Sequence, residues 1–147
     1  MGSIIVRCSA CGAKNKMSDV KQHLHPRCGK CRVPLDIKSQ AVPIDLGDGS
    51  LDEFLQTAKL PVLVDFFSPT CGPCASLAPL LESLTRQFFQ RIIVAKVDTS
   101  MNPGCSAHFQ IRGVPTLVFF KNGRVVEQMV GLPEASHLKA KMEYFAG

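Results

Sequence analysis

Three cysteine pairs in this chain share one spacing: CSAC from Cys8 to Cys11, CGKC from Cys28 to Cys31, and CGPC from Cys71 to Cys74. A seventh cysteine, Cys105, stands alone. Cysteine thiolates do two kinds of chemistry: they hold soft or borderline metal ions, and they attack disulfides. The outer two pairs lie sixteen residues apart, which matches the four-cysteine zinc pattern C-x2-C-x15–20-C-x2-C. Two residues between ligands let a tight turn present both sulfurs to one ion, and a second such turn closes the tetrahedron. Gly12 and Gly29 sit where the chain must reverse. Lys14, Arg27, Lys30 and Arg32 can offset the thiolate charge. Cys8, Cys11, Cys28 and Cys31 are therefore expected to bind one zinc ion, in a structural or redox-responsive role. His23 and His25 lie between the pairs and are read as solvated loop residues. The competing reading is four free thiols.

The central pair has no second pair at matching distance. It follows the apolar run PVLVDFF and precedes a helical pattern, CASLAPLLESLTRQFF. A thiol at a helix amino terminus meets free amide groups and the positive end of the helix dipole, so its pKa falls. Cys71 is thus expected to attack a disulfide as the thiolate, and Cys74, one helical turn on, to resolve the mixed disulfide. Pro73 suits the first helical turn, where no amide donor is needed. Asp65, inside PVLVDFF, is costly to bury without a purpose. If it is buried, its pKa should rise, which suits it to exchange a proton with Cys74; the competing reading sets it at a wet strand end.

These side chains must be positioned by a chain of 147 residues with 46% hydrophobic and 20% charged composition. That is enough for one domain with a core plus a small module. Residues 1–40 hold eight Lys/Arg against two Asp/Glu, and residues 41–147 hold nine against ten, so the net +5 belongs to the first piece. With four thiolates on one zinc that piece falls to about +4. It contains no aromatic residue and no recognition-helix pattern, so nucleic acid is not an expected partner. No apolar stretch approaches the roughly 20 residues of a membrane span, and no apolar signal segment is visible, so a cytoplasmic location and no membrane contact are expected. A polar stretch at 38–43, KSQAVP, marks the boundary between a module at 1–40 and a domain at 41–147.

In the second piece, Ser50 and Glu53 form a capping-box pattern before Leu51, Phe54, Leu55 and Ala58, which share one helical face. PVLVDFF and RIIVAKVD read as strands buried on both faces. Pro79 is expected to kink the helix between them. TLVFF and VVEQMV flank Asn122-Gly123, a hairpin signal, and an amphipathic helix follows Pro133. Helices alternating with strands predict an α/β fold with a mixed sheet.

VDFFSPTCGPC, the proline-containing helix, AKVD, NPG, IRGVPT, FFKNG and Gly131 occur in the order found in the thioredoxin family, which residues 42–146 resemble. The four-cysteine extension is similar to that of the zinc-containing bacterial thioredoxin 2 type. The resemblance implies a thioredoxin fold, a mixed central sheet flanked by helices, and protein-disulfide reductase activity. It implies Cys71 as nucleophile, Cys74 as resolving cysteine, Asp65 as the buried carboxylate and Lys96 beside it. Gly72 and Pro73 shape the active-site turn. Pro115 matches a cis-proline facing the pair, with Val114 backbone groups available to substrate, and Gly131 matches a glycine beside that surface. Thioredoxin reductase with NADPH, disulfide-containing client proteins, a monomer and no bound organic cofactor are implied too. Many family members carry two tryptophans before CGPC; here those positions are Phe67 and Thr70, and Pro69 further changes the rim. Two other readings compete: an oxidase or isomerase, and a binding module on a passive scaffold. Cys105 follows NPG in SMNPGCSAHFQIRG, which reads as loop or a short helix, and is expected to be a bystander thiol, or else a site of oxidation.

Overall fold

The computed structural model describes residues 3–18 and 25–147. His23 lies outside the described residues, and His25 is exposed. A five-stranded sheet runs in the order β4 (Ile44–Leu46), β6 (Ile93–Asp98), β5 (Val62–Phe67), β7 (Thr116–Lys121), β8 (Arg124–Val130). The first three strands are parallel, and β7 and β8 add antiparallel. Four helices belong to this body: α2 (Leu51–Thr57), α3 (Gly72–Gln87), α4 (Pro103–His108) and α5 (Ala135–Ala146).

Strand alternation explains how the sheet is covered. Val62, Val64 and Phe66 point to one face with Ala95, Val97, Val118 and Phe120, where Leu51 and Leu55 of α2 and Cys105 of α4 complete a core. Leu63, Val94, Leu117 and Phe119 point to the other face, against Leu77, Leu81 and Leu84 of α3 and Leu138 and Met142 of α5. The α3 positions recur at helical spacing, so one stripe is apolar while Pro79 sits on the exposed side of the unbroken helix. Asn122 and Gly123 both take positive φ, 53° and 77°, as a two-residue hairpin turn requires.

The capping box does not form. Ser50 is the N-cap of α2, but its Oγ accepts the Gly47 N–H at 3.0 Å instead of capping the helix. The local turn outcompetes the helix for that hydroxyl.

The first forty residues build more structure than their composition suggests. Strand β1 (Ser3–Arg7) pairs antiparallel with β2 (Lys14–Ser18) on one side and with β3 (Ala41–Val42) on the other. A short helix α1 (Ile37–Gln40) leads into β3. Val6, Cys8, Cys28, Leu35 and Ile37 form a small core, with Phe89 packed against it. Ile5, on the other face of β1, joins the core of the body. In the KSQAVP segment Lys38 and Ser39 are exposed, while Ala41 and Val42 are packed, at 1% and 3% exposed.

Candidate functional site

Strand β5 ends at Phe67, and a four-residue turn delivers Cys71 to the N-cap of α3. Cys71 has extended backbone angles, so its side chain folds back over the first helical turn, and the Cys74 N–H donates to Cys71 Sγ at 3.2 Å. Pro73 occupies the first turn, as its missing amide allows. Cys71 and Cys74 are disulfide-bonded, with their Cα atoms 5.2 Å apart. Cys74 is buried and Cys71 is half-buried, while Gly72 and Pro73 are exposed. The sulfur that an incoming disulfide can reach is thus Cys71, at the positive end of a sixteen-residue helix.

Across from this turn, the Val114–Pro115 peptide bond is cis, and Val114 O lies 3.7 Å from Cys71 Sγ. Gly131 donates its N–H to Pro115 O at 2.8 Å, so the end of β8 is tied beside the cysteine pair. Gly131 takes φ +89°, in the region that favours glycine, and a Cβ there would point into open space. Val130 and Leu132 on either side are 73% and 52% exposed. These two apolar side chains escaped sequence reasoning; the only signal was a VGL triplet following the hairpin.

Asp65 is 1% exposed and in register with Lys96 of β6 and Leu117 of β7. Alternation with Leu63 and Val94 places both Asp65 and Lys96 on the sheet face that carries α3. Asp65 Oδ1 has no hydrogen-bond partner among the described residues. Burial pushes its carboxyl up to about 6, partly opposed by the positive charge of Lys96. The Lys96 ammonium sits 4.4 Å from the centre of the Phe67 ring. Lys96 therefore softens the burial cost of Asp65 without closing an ion pair on it. A buried carboxyl that titrates near neutral pH can take and return a proton.

Of the two readings of the segment around Cys105, loop or short helix, the structure has the helix. Cys105 lies in α4, buried at 7% exposure. Burial, and then the Asp48 carboxylate, push its thiol up to about 12. Asp48 is itself held by the Gly104 and Cys105 amides at 3.0 and 2.7 Å. A buried, protonated thiol is a poor nucleophile, which disfavours the oxidation-site reading.

The other four cysteines converge. Their sulfurs all lie within 4.8 Å of one another, with Cys8 to Cys31 and Cys11 to Cys28 at 3.6 Å each. The two turns that present them are near copies. Cys8 N–H donates to Ala13 O and Gly12 N–H to Cys8 O; Cys28 N–H donates to Val33 O and Arg32 N–H to Cys28 O. Gly12 and Arg32 occupy equivalent left-handed positions, at φ 78° and 69°. Amides of Cys31 and Lys30 point at Cys28 Sγ and hold that thiol down to about 6. A set of four sulfurs this close can hold one metal ion.

The thioredoxin family model matches residues 42–144. Thioredoxin C-3 of Corynebacterium nephridii is 36% identical over 131 residues, covering 87% of this chain and 86% of its own length. That span exceeds the family-model match, and only residues 145–147 remain after it, so the likeness runs into the four-cysteine segment. A thioredoxin of Synechocystis is 36% identical over 68% of this chain and 94% of its own length. Among solved structures, a mutant thioredoxin from Halobacterium salinarum NRC-1 superposes with a TM-score of 0.66 at 36% identity, over 72% of this chain and 92% of that one. With its mixed sheet between two helical layers and a cysteine pair opening α3, this chain belongs to the thioredoxin family and is a thioredoxin-type disulfide oxidoreductase.

Proposed function

We propose that this chain reduces protein disulfides by dithiol exchange at Cys71 and Cys74, and that it is a zinc-containing thioredoxin of the bacterial thioredoxin 2 type. The observation that carries the first part is the Cys74 amide on Cys71 Sγ at 3.2 Å at the start of α3. That bond favours the thiolate form of Cys71 over the thiol. The Cys71 thiolate attacks one sulfur of a client disulfide, forms a mixed disulfide and expels a client thiolate. The Cys74 thiolate, its proton taken by Asp65, attacks Cys71 Sγ and expels the second client thiolate. Two electrons have then passed to the client, and the chain holds the Cys71–Cys74 disulfide. Thioredoxin reductase returns two electrons from NADPH. The thiols themselves carry the electrons, so no bound organic cofactor is required.

Gly72 and Pro73 keep the turn compact, and Val114 offers backbone groups to an extended client segment beside Pro115. Gly131 leaves room there, and Val130 and Leu132 supply an apolar rim. Lys96 tunes Asp65. The amino-terminal module, residues 1–40, holds one zinc ion through Cys8, Cys11, Cys28 and Cys31, while residues 41–147 form the catalytic domain. A tetrahedral site with zinc–sulfur bonds of about 2.3 Å has sulfur–sulfur edges of about 3.8 Å, close to the separations described above. The bound ion would supply cross-linking of two turns whose shared core is small. A structural role is favoured because Cys8 and Cys28 belong to that buried core. No described helix is long and apolar enough to cross a membrane. A cytoplasmic monomer acting on diverse clients completes the reading.

The test is NADPH oxidation with thioredoxin reductase and a disulfide-containing protein. The zinc-loaded natural chain turns over, and the Cys71→Ser chain falls to background. Turnover that survives in Cys71→Ser, or none by the folded natural chain, would remove the reductase assignment.

A further inference from the structure

Asn15 lies in β2 opposite Val6. Lys14 and Lys16 are exposed, so Asn15 and Met17 take the inward face of the strand. There the Asn15 carboxamide reaches both cysteine turns at once. Its Oδ1 accepts the Gly29 N–H at 2.8 Å, inside the second turn. Its Nδ2 donates to Val6 O at 3.4 Å and Ala13 O at 3.3 Å, which flank the first turn, and lies 3.6 Å from Cys28 Sγ. Few side chains can do this, because a single planar group must offer one acceptor and two donors.

The two turns are otherwise near copies, and that makes the asymmetry informative. Cys8 Sγ faces the Cys11 and Ala10 amides, and Cys28 Sγ faces the equivalent Cys31 and Lys30 amides. Among the described residues, Cys28 rather than Cys8 receives a further donor from a side chain other than a cysteine, Asn15. Counting twenty residues on from Asn15, as from Cys8 to Cys28, gives Leu35, which is apolar and buried in the module core. We infer that Asn15 is a positioning residue for the metal site: it clamps the second turn to the first and holds Cys28 as a ligand by donating to its sulfur. This inference rests on the zinc reading above.

Groups that hydrogen-bond to metal ligands commonly contribute 10- to 100-fold to metal affinity. The experiment is competition of the full chain with a chromophoric chelator for zinc, together with the cobalt(II) absorption spectrum, for the natural chain, Asn15→Ala and Asn15→Asp. Far-UV circular dichroism establishes that each variant is folded. The natural chain should bind one zinc ion, and Asn15→Ala should bind it about tenfold or more weakly, with a shifted thiolate-to-cobalt charge-transfer band. Asn15→Asp keeps the shape and the acceptor for Gly29, so it remains folded if the alanine variant does not. It loses both donors and sets a negative charge beside a thiolate, and should bind more weakly than Asn15→Ala.

A merely structural clamp predicts the reverse order, because Asp preserves the bond to Gly29. Overturning results are an alanine variant within twofold of the natural chain with an unchanged cobalt spectrum, or an aspartate variant that binds more tightly than the alanine one. A natural chain that binds no zinc would remove the zinc reading and this inference together, whereas unchanged affinity in the variants would remove only the inference.

Discussion

Asp65 offers a sharp quantitative test, because the physical cause of its behaviour also dictates a stability profile. In the unfolded chain its carboxyl titrates near 3.8, and in the folded chain burial raises it to about 6. A carboxyl whose folded pKa is raised binds its proton more tightly when folded. Below about pH 4 it is protonated in both states and adds no ionisation penalty. Between those two values the unfolded carboxyl ionises while the folded one keeps its proton, so stability falls as pH rises. Above about pH 6 the penalty is complete. The shift of roughly two units corresponds to about 3 kcal/mol at pH 7, since each unit is about 1.4 kcal/mol. Asp65 is 1% exposed, so solvent screening does not dilute the figure.

The perturbation is Asp65→Asn, which removes the titration while keeping the shape. The assay is urea unfolding of the oxidised chain at intervals from pH 4 to pH 8, for both proteins. Any fixed cost of burying the amide appears equally at every pH, and the thiolate cluster titrates alike in both chains, so both cancel in the pH-dependent part of the difference. Asp65→Asn should gain about 2–3 kcal/mol relative to the natural chain between pH 4 and pH 7, since part of the penalty is already present at pH 4. A chain of this size moves by roughly 3 °C per kcal/mol, so the melting temperatures should separate by about 7 °C over that range. Reduction of a client by Asp65→Asn should slow about 100-fold or more at neutral pH, the usual contribution of a positioned acid–base group. A stability difference that stays flat from pH 4 to pH 8 would refute the burial argument, and a gain on the acid side would refute its sign.

Two other perturbations follow from the same structure. Cys74→Ser should leave Cys71 able to attack and unable to be released, so incubation with a disulfide-containing protein should accumulate a covalent adduct. That adduct should run as a larger band on non-reducing electrophoresis and vanish on adding dithiothreitol; no adduct would argue against attack by Cys71. Arg32→Gly should stabilise the metal-loaded chain by about 1 kcal/mol, because Arg32 takes φ 69° where its counterpart is Gly12. Urea unfolding reads this directly, and a loss of stability would mean that the Arg32 side chain is worth more than its backbone strain.

Strands β5 and β6 were legible because each carries an apolar run that must be buried on both faces, and β7 and β8 because they flank the Asn122-Gly123 hairpin signal; the three-residue β4, Ile44–Leu46, was too short to declare a pattern. Asp65 stood out within one of those runs as an anomaly whose burial needed a reason. The cysteine spacings were legible because ligand turns and helix-start pairs have fixed lengths. The strands of the module were not. Ile4, Ile5 and Val6 are too few to declare a period, and their roles divide: Ile5 enters the core of the body while Val6 enters that of the module. Asn15 left no trace in the pattern, since its contacts reach Val6 and Gly29 through folding alone. Around Cys105 the sequence left loop and short helix open; what settles it is Asp48, which caps the Gly104 and Cys105 amides of the six-residue α4 from fifty-six and fifty-seven residues away, a contact no local pattern announces.

Helix α3 explains how one chain can carry both thiol sites without their interfering. Its first turn holds the Cys71 pair, and its second half carries the module. Arg7, next to Cys8 of the four-cysteine cluster, meets Glu82 at 3.0–3.1 Å through two nitrogens, and Arg86 donates to Ala41 O at 3.1 Å. Just past the helix end, Phe89 enters the module core. At 1.5 Å per residue, Glu82 lies about 15 Å along the axis from Gly72. That exceeds the screening length of about 8 Å at physiological ionic strength, so charge at the module is weakly felt by the cysteine pair. Arg7 and Glu82 are partly exposed, so their ion pair is worth at most about 1 kcal/mol. What joins the module to the body is the packing of Ile5, Ala41, Val42 and Phe89. Whatever the metal site does to the cysteine pair must therefore pass through the seating of α3 on the sheet, while the rim formed by Val114, Val130 and Leu132 stays open to clients.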